Sequence, residues 1–273
     1  MDSLAPSYEH KEQAYFAGQR SDLIDRLAVD RNRAILEIGC AEGSTGAYAK
    51  HEGKCGLYVG VELFPSAASV AASRIDRVYT ANIESFDPPE PRESFDVLIA
   101  GEVLEHMVDP WAVLRRLKTY LRPGGLVMAS SPNVSHYSVI GMLLKGDWTL
   151  ADSGRMDRTH LRWFTPRSYA DMFQTCGFEV LSTEPLRAPG QAARLIAKLS
   201  GGRLEHLFIS QIVVVGKKTG GSSPVGGTWV RALRRRRAVG SSDRFKDREQ
   251  LGRHDAPPSL VHPAKPRLMS RLQ

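Results

Sequence analysis

The chain has 273 residues, of which 42% are hydrophobic and 25% charged, and its formal net charge is +7. These values predict a globular protein, and no apolar run approaches the roughly 20 residues that span a bilayer. Met1 to Pro6 lack the basic and apolar regions of a secretory signal. The three scattered cysteines fit neither a disulfide framework nor a structural zinc site. We therefore expect a cytoplasmic protein.

The positive charge is concentrated towards the carboxyl terminus. Residues 217–273 hold 14 Lys and Arg against 4 Asp and Glu, so residues 1–216 hold 23 against 26 and are net −3. The terminal stretch is rich in Gly, Ser and Pro and poor in periodic apolar residues, which predicts a largely disordered tail. It is either a solvated extension or a contact for anionic lipid or nucleic acid.

The rest of the chain alternates helix and strand signals. Apolar residues at helical spacing over residues 8–29, including Tyr8, Tyr15 and Phe16, predict one or two leading helices. Apolar runs predict strands at about 34–38, 57–62, 77–80, 95–100, 126–130, 178–181 and 209–215. Helix signals predict helices at about 44–52, 65–74, 110–120 and from Pro166 to before Gly177. Strands joined by helical crossovers indicate an α/β fold with a mostly parallel sheet covered on both faces.

The most informative stretch follows the first strand, where a turn contains Gly39, Ala41 and Gly43. In open α/β sheets ligands bind beyond the carboxyl ends of the strands, and glycine lets them approach the backbone. Glu37 and Glu62 lie at the ends of the first two strands, and two such acids suit a ligand with an amine and ribose hydroxyls. The spacing fits neither a phosphate-binding NTPase loop nor the NAD fingerprint, although an NAD dehydrogenase is the enzymatic runner-up for this loop.

This order of signals resembles the class I S-adenosylmethionine-dependent methyltransferases of types 11 and 23, over about residues 20–216. The family's Glu/Asp-x-Gly-x-Gly-x-Gly loop matches Glu37 to Gly43, with Ala41 in place of the middle glycine. The resemblance implies a three-layer Rossmann-like sheet of seven mostly parallel strands with an antiparallel last strand. The expected organisation is a helical cap at 1–30, a methyltransferase domain at 31–216 with a substrate-covering insertion at 132–165, and a basic tail at 217–273.

The resemblance further implies S-adenosylmethionine as the methyl donor. The glycine-rich loop would pack against the methionine part, with Glu37 near the amine. Glu62 would accept hydrogen bonds from both ribose hydroxyls, and Asn82 would pair with the adenine edge. The expected cofactor contacts are Glu37, Gly39, Cys40, Ala41, Gly43, Glu62, Leu63, Asn82, Ile83 and Gly101.

A second group of polar residues follows the fourth strand. Glu102, Glu105 and His106 have i, i+3, i+4 spacing and share one face if the segment is helical. Two carboxylates and an imidazole suit a divalent cation such as Mg²⁺, Mn²⁺ or Zn²⁺, and His160 is a possible fourth ligand. The set is similar to that of small-RNA 2′-O-methyltransferases, and Glu-x-x-Glu-His also resembles ubiquinone-pathway O-methyltransferases. In those enzymes the metal is taken to hold the substrate hydroxyls.

A metal-free interpretation of the same residues is also open. In many methyltransferases without a metal, the histidine matching His106 lies near the reacting centre as a base, or simply packs. His160 would then cap or pack the helix that begins at Pro166.

Methyl transfer from a sulfonium needs in-line positioning and a nucleophile that can lose its proton. His106 is the first candidate base and His160 the second. The predicted function is O-methylation of a small hydroxylated acceptor, such as a glycan precursor or a quinone-like molecule. RNA 2′-O-methylation is one alternative, favoured by the tail and the possible cation site, and a non-enzymatic cofactor-binding scaffold is another.

Overall fold

In the computed structural model, residues 18–220 are described. The predictions for residues 8–17, with Tyr8, Tyr15 and Phe16, and for residues 221–273 of the basic tail lie outside this part of the chain. Among the helices of residues 18–220, none has the length and apolar character needed to cross a bilayer.

The described chain forms seven strands and seven α-helices. The strands are β1 Ala34–Ile38, β2 Leu57–Glu62, β3 Arg77–Thr80, β4 Phe95–Gly101, β5 Leu121–Pro132, β6 Phe178–Pro185 and β7 Gln211–Lys218. The helices are α1 Ser21–Ile24, α2 Ser44–His51, α3 Pro65–Ala71, α4 Pro110–Leu117, α5 Tyr137–Leu143, α6 Pro166–Thr175 and α7 Gln191–Leu199. Short 3₁₀ turns occur at Leu104–His106, Lys118–Tyr120 and Glu205–Phe208.

The strands make one sheet in the order β3-β2-β1-β4-β5-β7-β6. β1 to β5 pair in parallel, and β7 runs antiparallel to both of its neighbours. The predicted mostly parallel sheet with an antiparallel last strand is confirmed. The strand order reverses between β1 and β4, and ligands bind beyond the strand ends at such a reversal.

Both faces of the sheet are covered, which is why β1 is buried along its whole length. Successive β1 side chains point to opposite faces, so Leu36 and Ile38 belong to one apolar cluster and Ile35 to the other. The first cluster contains Leu114 and Phe173 from α4 and α6, and the second includes buried residues of α1, α2 and α3. The strands are therefore fixed from both sides, and their carboxyl ends form a rigid edge.

The structure corrects several predicted boundaries. α3 ends at Ala71 rather than near residue 74. β5 begins at Leu121 rather than near residue 126, and its pairing with β4 passes from Phe95 with Leu121 directly to Val97 with Leu126. The extra residues form a bulge in which Gly124 has φ +77°. β6 extends to Pro185 rather than residue 181, and β7 begins and ends later than the predicted 209–215. α7, between them, was not predicted.

Candidate active site

The loop after β1 turns sharply by using left-handed backbone conformations. Gly39 has φ +66° and Gly43 φ +77°, and Ala41, at the family's middle glycine position, has φ +48°. A side chain on Gly39 would lie 2.9 Å from Val103 Cγ2, so this position requires glycine for space as well as for φ. Ala41 holds a conformation that disfavours a Cβ atom. The loop is thus built, with local strain, at the edge where the strand order reverses.

Glu37 is a buried carboxyl at the end of β1. Its Oε2 accepts a hydrogen bond of 2.8 Å from the Tyr58 hydroxyl of β2. Burial raises the pKa of Glu37 to about 7, although the Tyr58 bond and the nearby charge of Arg20 act in the opposite direction. A ligand ammonium group beside this carboxyl would favour its ionised form.

Glu62, at the end of β2, has a fixed orientation. Its Oε2 accepts from the Ala41 backbone N–H at 2.8 Å, and its Oε1 accepts from the Phe64 N–H at 3.0 Å. Burial raises the pKa of Glu62, and these backbone bonds oppose the rise. Each carboxylate oxygen has a second lone pair, so both can still accept a ribose hydroxyl. The same carboxylate also supports the strained loop at Ala41.

The loop after β3 lies next to Glu62, because the Ala81 N–H donates to the Glu62 backbone carbonyl at 2.8 Å. Asn82 Oδ1 accepts from the Glu84 N–H at 2.9 Å. Glu84 Oε1 in turn accepts from the N–H groups of Val108 and Asp109, at 2.9 and 3.2 Å. Glu84, absent from the predicted site, thus joins the expected adenine loop to the segment after β4.

Arg20 is a second residue that the sequence reasoning missed. Its Nε and Nη2 both donate to the Asp22 carboxylate at 2.9 Å, and its Nη1 donates to Ser130 Oγ at 2.5 Å. A Cβ atom on Gly101 would lie 3.0 Å from Nη1, so the guanidinium covers the end of β4. Within the described residues, one N–H on each terminal nitrogen remains for a ligand. No sequence motif marks this arginine, since only the fold brings it to the strand ends.

The segment after β4 is not a continuous helix. Glu102 has φ +56°, and only Leu104–His106 make a 3₁₀ turn. Glu102 therefore does not share a helical face with Glu105 and His106. The segment that carries His160 is held against this turn, because the Glu105 carbonyl accepts from the N–H groups of Leu161 and Arg162 at 2.8 and 2.9 Å.

Hydrogen bonds to backbone carbonyls set the orientation of both histidines. His106 Nδ1 lies 3.2 Å from the Thr159 carbonyl, and His160 Nδ1 lies 3.3 Å from the Arg155 carbonyl. A carbonyl oxygen only accepts, so these two contacts favour the tautomer with the proton on Nδ1. The two rings lie edge to face with centroids 4.7 Å apart.

Glu105, His106 and His160 form a compact group, with one candidate ligand atom from each lying within 4.8 Å of the others. Glu105 is 1% exposed, and neither of its carboxylate oxygens has a hydrogen-bond partner in the described part of the chain. Burial raises the pKa of Glu105 well above its usual range. Glu102 lies outside this group.

A cavity of about 210 Å³ opens beside the group. Glu102, Glu105, His106 and His160 line one part of it, and other walls come from Arg155 and from Ser210 and Gln211 at the start of β7. Arg155 joins separate parts of this wall, because it donates to Ser210 Oγ at 2.8 Å and to Ser138 Oγ at 3.3 Å. The cavity lies at the carboxyl edge, next to Gly101, and all four predicted metal ligands reach it.

The remaining expected cofactor contacts lie on the same edge. Leu63 is exposed just beyond β2, and Ile83 is buried in the loop after β3. The Cys40 side chain instead packs inward, since a Cβ atom on Gly60 would lie 2.5 Å from its Sγ. Burial raises the pKa of this thiol. Cys40 therefore offers a ligand its backbone and no reactive sulfur.

Comparison with known proteins gives the family. A protein-family model described as a methyltransferase domain matches residues 8–183. A ubiquinone biosynthesis O-methyltransferase of Neisseria meningitidis is 24% identical over 172 residues, which cover 60% of this chain and 71% of the relative. A similar enzyme of Aeromonas salmonicida is 26% identical over 151 residues, covering 54% and 63%.

Solved structures agree on the fold. A SAM-dependent methyltransferase of Archaeoglobus fulgidus superposes with a TM-score of 0.54 at 19% identity, covering 76% of this chain and 97% of the other. The family match spans more than half of the sequence, and the sheet order and the strand-end loop agree with it. The chain therefore belongs to the class I S-adenosylmethionine-dependent methyltransferases.

Proposed function

We propose that this enzyme O-methylates a small hydroxylated acceptor, with a quinone-like ring or a glycan precursor as the substrate class. The observation that carries the proposal is the cavity beside Glu105, His106 and His160, at the strand edge that also bears the cofactor loop. Its volume of about 210 Å³ lies below the usual range for drug-sized ligands and suits a single ring. The relatives that act in ubiquinone biosynthesis support the same class.

The donor is S-adenosylmethionine, and four side chains carry its proposed recognition. Glu37 would receive the ammonium group and Arg20 the carboxylate of the methionine part. Glu62 would accept the ribose hydroxyls, and Asn82 would meet the adenine edge. Arg20 suits a carboxylate because Asp22 and Ser130 hold its guanidinium in place.

The sulfonium is already a strong electrophile, so the protein has to position the acceptor oxygen in line and remove its proton. His106 suits the role of base because it lines the cavity, and the Thr159 carbonyl beside its Nδ1 favours the tautomer in which Nε2 would accept the proton. His160 is the second candidate, with the same arrangement on the Arg155 carbonyl. Both rings belong to the group beside the cavity.

A divalent cation fits the residues of this group. Glu105 supplies a buried carboxyl group, which a bound cation would keep ionised, and the two histidines supply nitrogen ligands. Each ligating histidine would donate its other ring proton to a backbone carbonyl, as metal-binding histidines usually do. A bound Mg²⁺, Mn²⁺ or Zn²⁺ would supply Lewis-acid activation of the acceptor hydroxyl. Glu102 lines the cavity wall and would meet the acceptor rather than the ion.

A second candidate, 2′-O-methylation of RNA, is favoured by the carboxylate and histidine group and by the basic residues 217–273. Two observations weigh against it. Residues 1–216 are net negative, with 23 Lys and Arg against 26 Asp and Glu, and the cavity is small.

We place the enzyme in the cytoplasm, because its three cysteines are buried and free.

A methyl-transfer screen over catechols, other phenols, sugars and short RNAs tests the proposal. We expect transfer to at least one small hydroxylated compound, and His106→Gln should lower its rate by about 10² or more, as loss of a general base does. His51→Gln is the matched control, since His51 is exposed on α2. Cofactor binding without transfer to any hydroxylated compound would refute the proposal.

Chelation distinguishes a mechanism that requires a cation from one in which His106 acts only as a base. If the cation is required, EDTA should abolish turnover, and added Mg²⁺, Mn²⁺ or Zn²⁺ should restore it. Glu105→Gln should then weaken cation binding measured by calorimetry. Full turnover in EDTA would leave His106 acting as a base alone.

Four neutralising Arg→Gln changes at residues 234–237 test the RNA alternative in the full chain. An enzyme acting on RNA should lose affinity and some of its salt dependence. An enzyme acting on a small molecule should keep its rate.

A further inference from the structure

Helix α7 exposes its large apolar side chains and turns two of its alanines towards the protein. Leu195, Ile196 and Leu199 are 57%, 40% and 79% exposed, whereas Ala193 and Ala197 are partly buried. No residue of the helix is fully buried. A surface helix of a globular protein normally places its apolar stripe against the core. The leucine stripe of α7 therefore faces away from the apolar clusters of the sheet.

Basic residues flank this stripe. Arg194 and Lys198 are exposed and four positions apart, so they lie on one side of the helix next to the leucines. The following turn adds exposed Arg203 and Leu204. Residues 186–208 contain four Arg and Lys and a single acid. We refer to Leu195, Ile196, Leu199 and Leu204 with Arg194, Lys198 and Arg203 as the α7 surface.

The α7 surface lies at the same edge of the sheet as the candidate active site. α7 connects the end of β6 to the start of β7, where Pro185 pairs with Ile212 and Pro132 pairs with Gln211. Ser210 and Gln211, just after this connection, line the acceptor cavity. Helix α5 lies beside the connection, since the rings of Tyr137 and Phe208 are 6.1 Å apart. α7 and the cavity therefore lie at the same edge of the sheet.

We propose that the α7 surface docks onto an anionic phospholipid bilayer and holds the active-site edge against it. An apolar stripe flanked by Lys and Arg is the composition of helices that lie in the membrane interface, where leucines enter the acyl boundary and cations meet anionic headgroups. A symmetric pairing of two copies through this surface would bring like charges together, which disfavours that occupant. The membrane-docked enzyme would receive acceptors that partition into lipid.

Vesicle sedimentation with the full chain is the first test. Binding should be stronger to vesicles of phosphatidylcholine with phosphatidylglycerol than to phosphatidylcholine alone, and it should weaken with salt. The double change Leu195→Gln and Leu199→Gln should lower the partition coefficient at least about tenfold, because two leucines leave the acyl boundary. Val29→Gln is the matched control, since Val29 is exposed in the loop before β1, at the opposite edge. Equal binding by the double variant and the wild type would overturn the proposal.

An environment-sensitive fluorophore separates docking through α7 from attachment through the basic tail. The native cysteines are buried, so Leu199→Cys provides a selectively labelled site. Its emission should shift to the blue on addition of anionic vesicles, whereas a label at Val29→Cys should not respond. Vesicle binding with an unchanged signal at position 199 would overturn the proposal.

Two further readouts decide between occupants. Sedimentation velocity without lipid that shows a dimer, lost on Leu195→Gln and Leu199→Gln, would replace the membrane with a second copy. Methyl transfer to a water-soluble acceptor should be unchanged by these variants. Failure of membrane docking is therefore distinguishable from failure of the proposed O-methylation.

Discussion

Replacing Glu37 by Gln tests the electrostatics of the donor site directly. The carboxyl is buried, and its pKa is raised to about 7 from an ordinary value of 4.5. Because the folded pKa exceeds the unfolded one, the folded chain binds more protons than the unfolded chain between these values. Glu37 thus lowers the free energy of unfolding as pH rises through this window, and Gln removes that effect. The amide oxygen can still accept from the Tyr58 hydroxyl.

The expected magnitude follows from the two pKa values. Between about pH 5 and about pH 8, ionisation of Glu37 should lower the free energy of unfolding by about 2 to 3 kcal/mol. Other carboxyls titrate in the same range, and the amide has its own burial cost. Both contributions cancel when the difference in free energy of unfolding between wild type and Glu37→Gln is measured at each pH and the two differences are compared.

Urea unfolding at these two pH values is the assay. The gain from Glu37→Gln should be about 2 to 3 kcal/mol larger at the higher pH. Glu52→Gln, at an exposed carboxyl after α2, should show almost no such difference. A Glu37→Gln difference below about 0.5 kcal/mol would refute the raised pKa. The variant should also bind S-adenosylmethionine more weakly, and wild-type affinity for the cofactor should rise with pH and level off above about 7.

Three further predictions concern the residues that shape the donor site. Ala41→Gly should raise the free energy of unfolding by about 1 kcal/mol because it relieves a left-handed alanine, and a lower value in urea unfolding would contradict the strain. Arg20→Met should weaken the binding of S-adenosylmethionine about tenfold or more but leave the binding of its decarboxylated analogue unchanged. If calorimetry shows equal losses of affinity for both compounds, or a similar loss in the control Arg26→Met, the proposed contact between Arg20 and the carboxylate is wrong. Glu84→Ala should destabilise the fold by about 1 to 3 kcal/mol, because two backbone N–H groups lose a carboxylate acceptor; an unchanged urea midpoint would show that water replaces it.

Most of the sheet could be predicted because each parallel strand is a short apolar run with a clear stop. β1 to β4 agree with their predicted positions to within one residue. The proline after Asp109 marked the start of α4, and Asp109 Oδ1 caps that helix by accepting from the Ala112 N–H at 2.9 Å. These signals are local, so a single sequence reveals them.

Other features depend on distant parts of the chain. Arg20 becomes a site residue only because the fold carries it to Ser130. Glu102 does not share a helical face with Glu105 and His106, because its backbone is left-handed and its N–H donates to the Ser130 carbonyl at 3.1 Å. α7 has good helix formers, but its stripe does not contribute to the core. The predicted group of Glu102, Glu105, His106 and His160 is found in part, because Glu105, His106 and His160 lie together without Glu102, and their roles stay predictions.

The Glu84 carboxylate and the Glu105 backbone carbonyl each join two loops of the site through hydrogen bonds. The Glu84 carboxylate joins the expected adenine loop to the residues after His106. The Glu105 carbonyl joins the 3₁₀ turn to the segment that carries His160. The donor and acceptor loops are therefore connected, so we expect cooperative binding of the cofactor and the acceptor. By thermodynamic linkage, if bound cofactor raises the affinity for the acceptor, bound acceptor raises the affinity for the cofactor by the same factor. Identical cofactor affinities with and without acceptor would show that the two loops act independently.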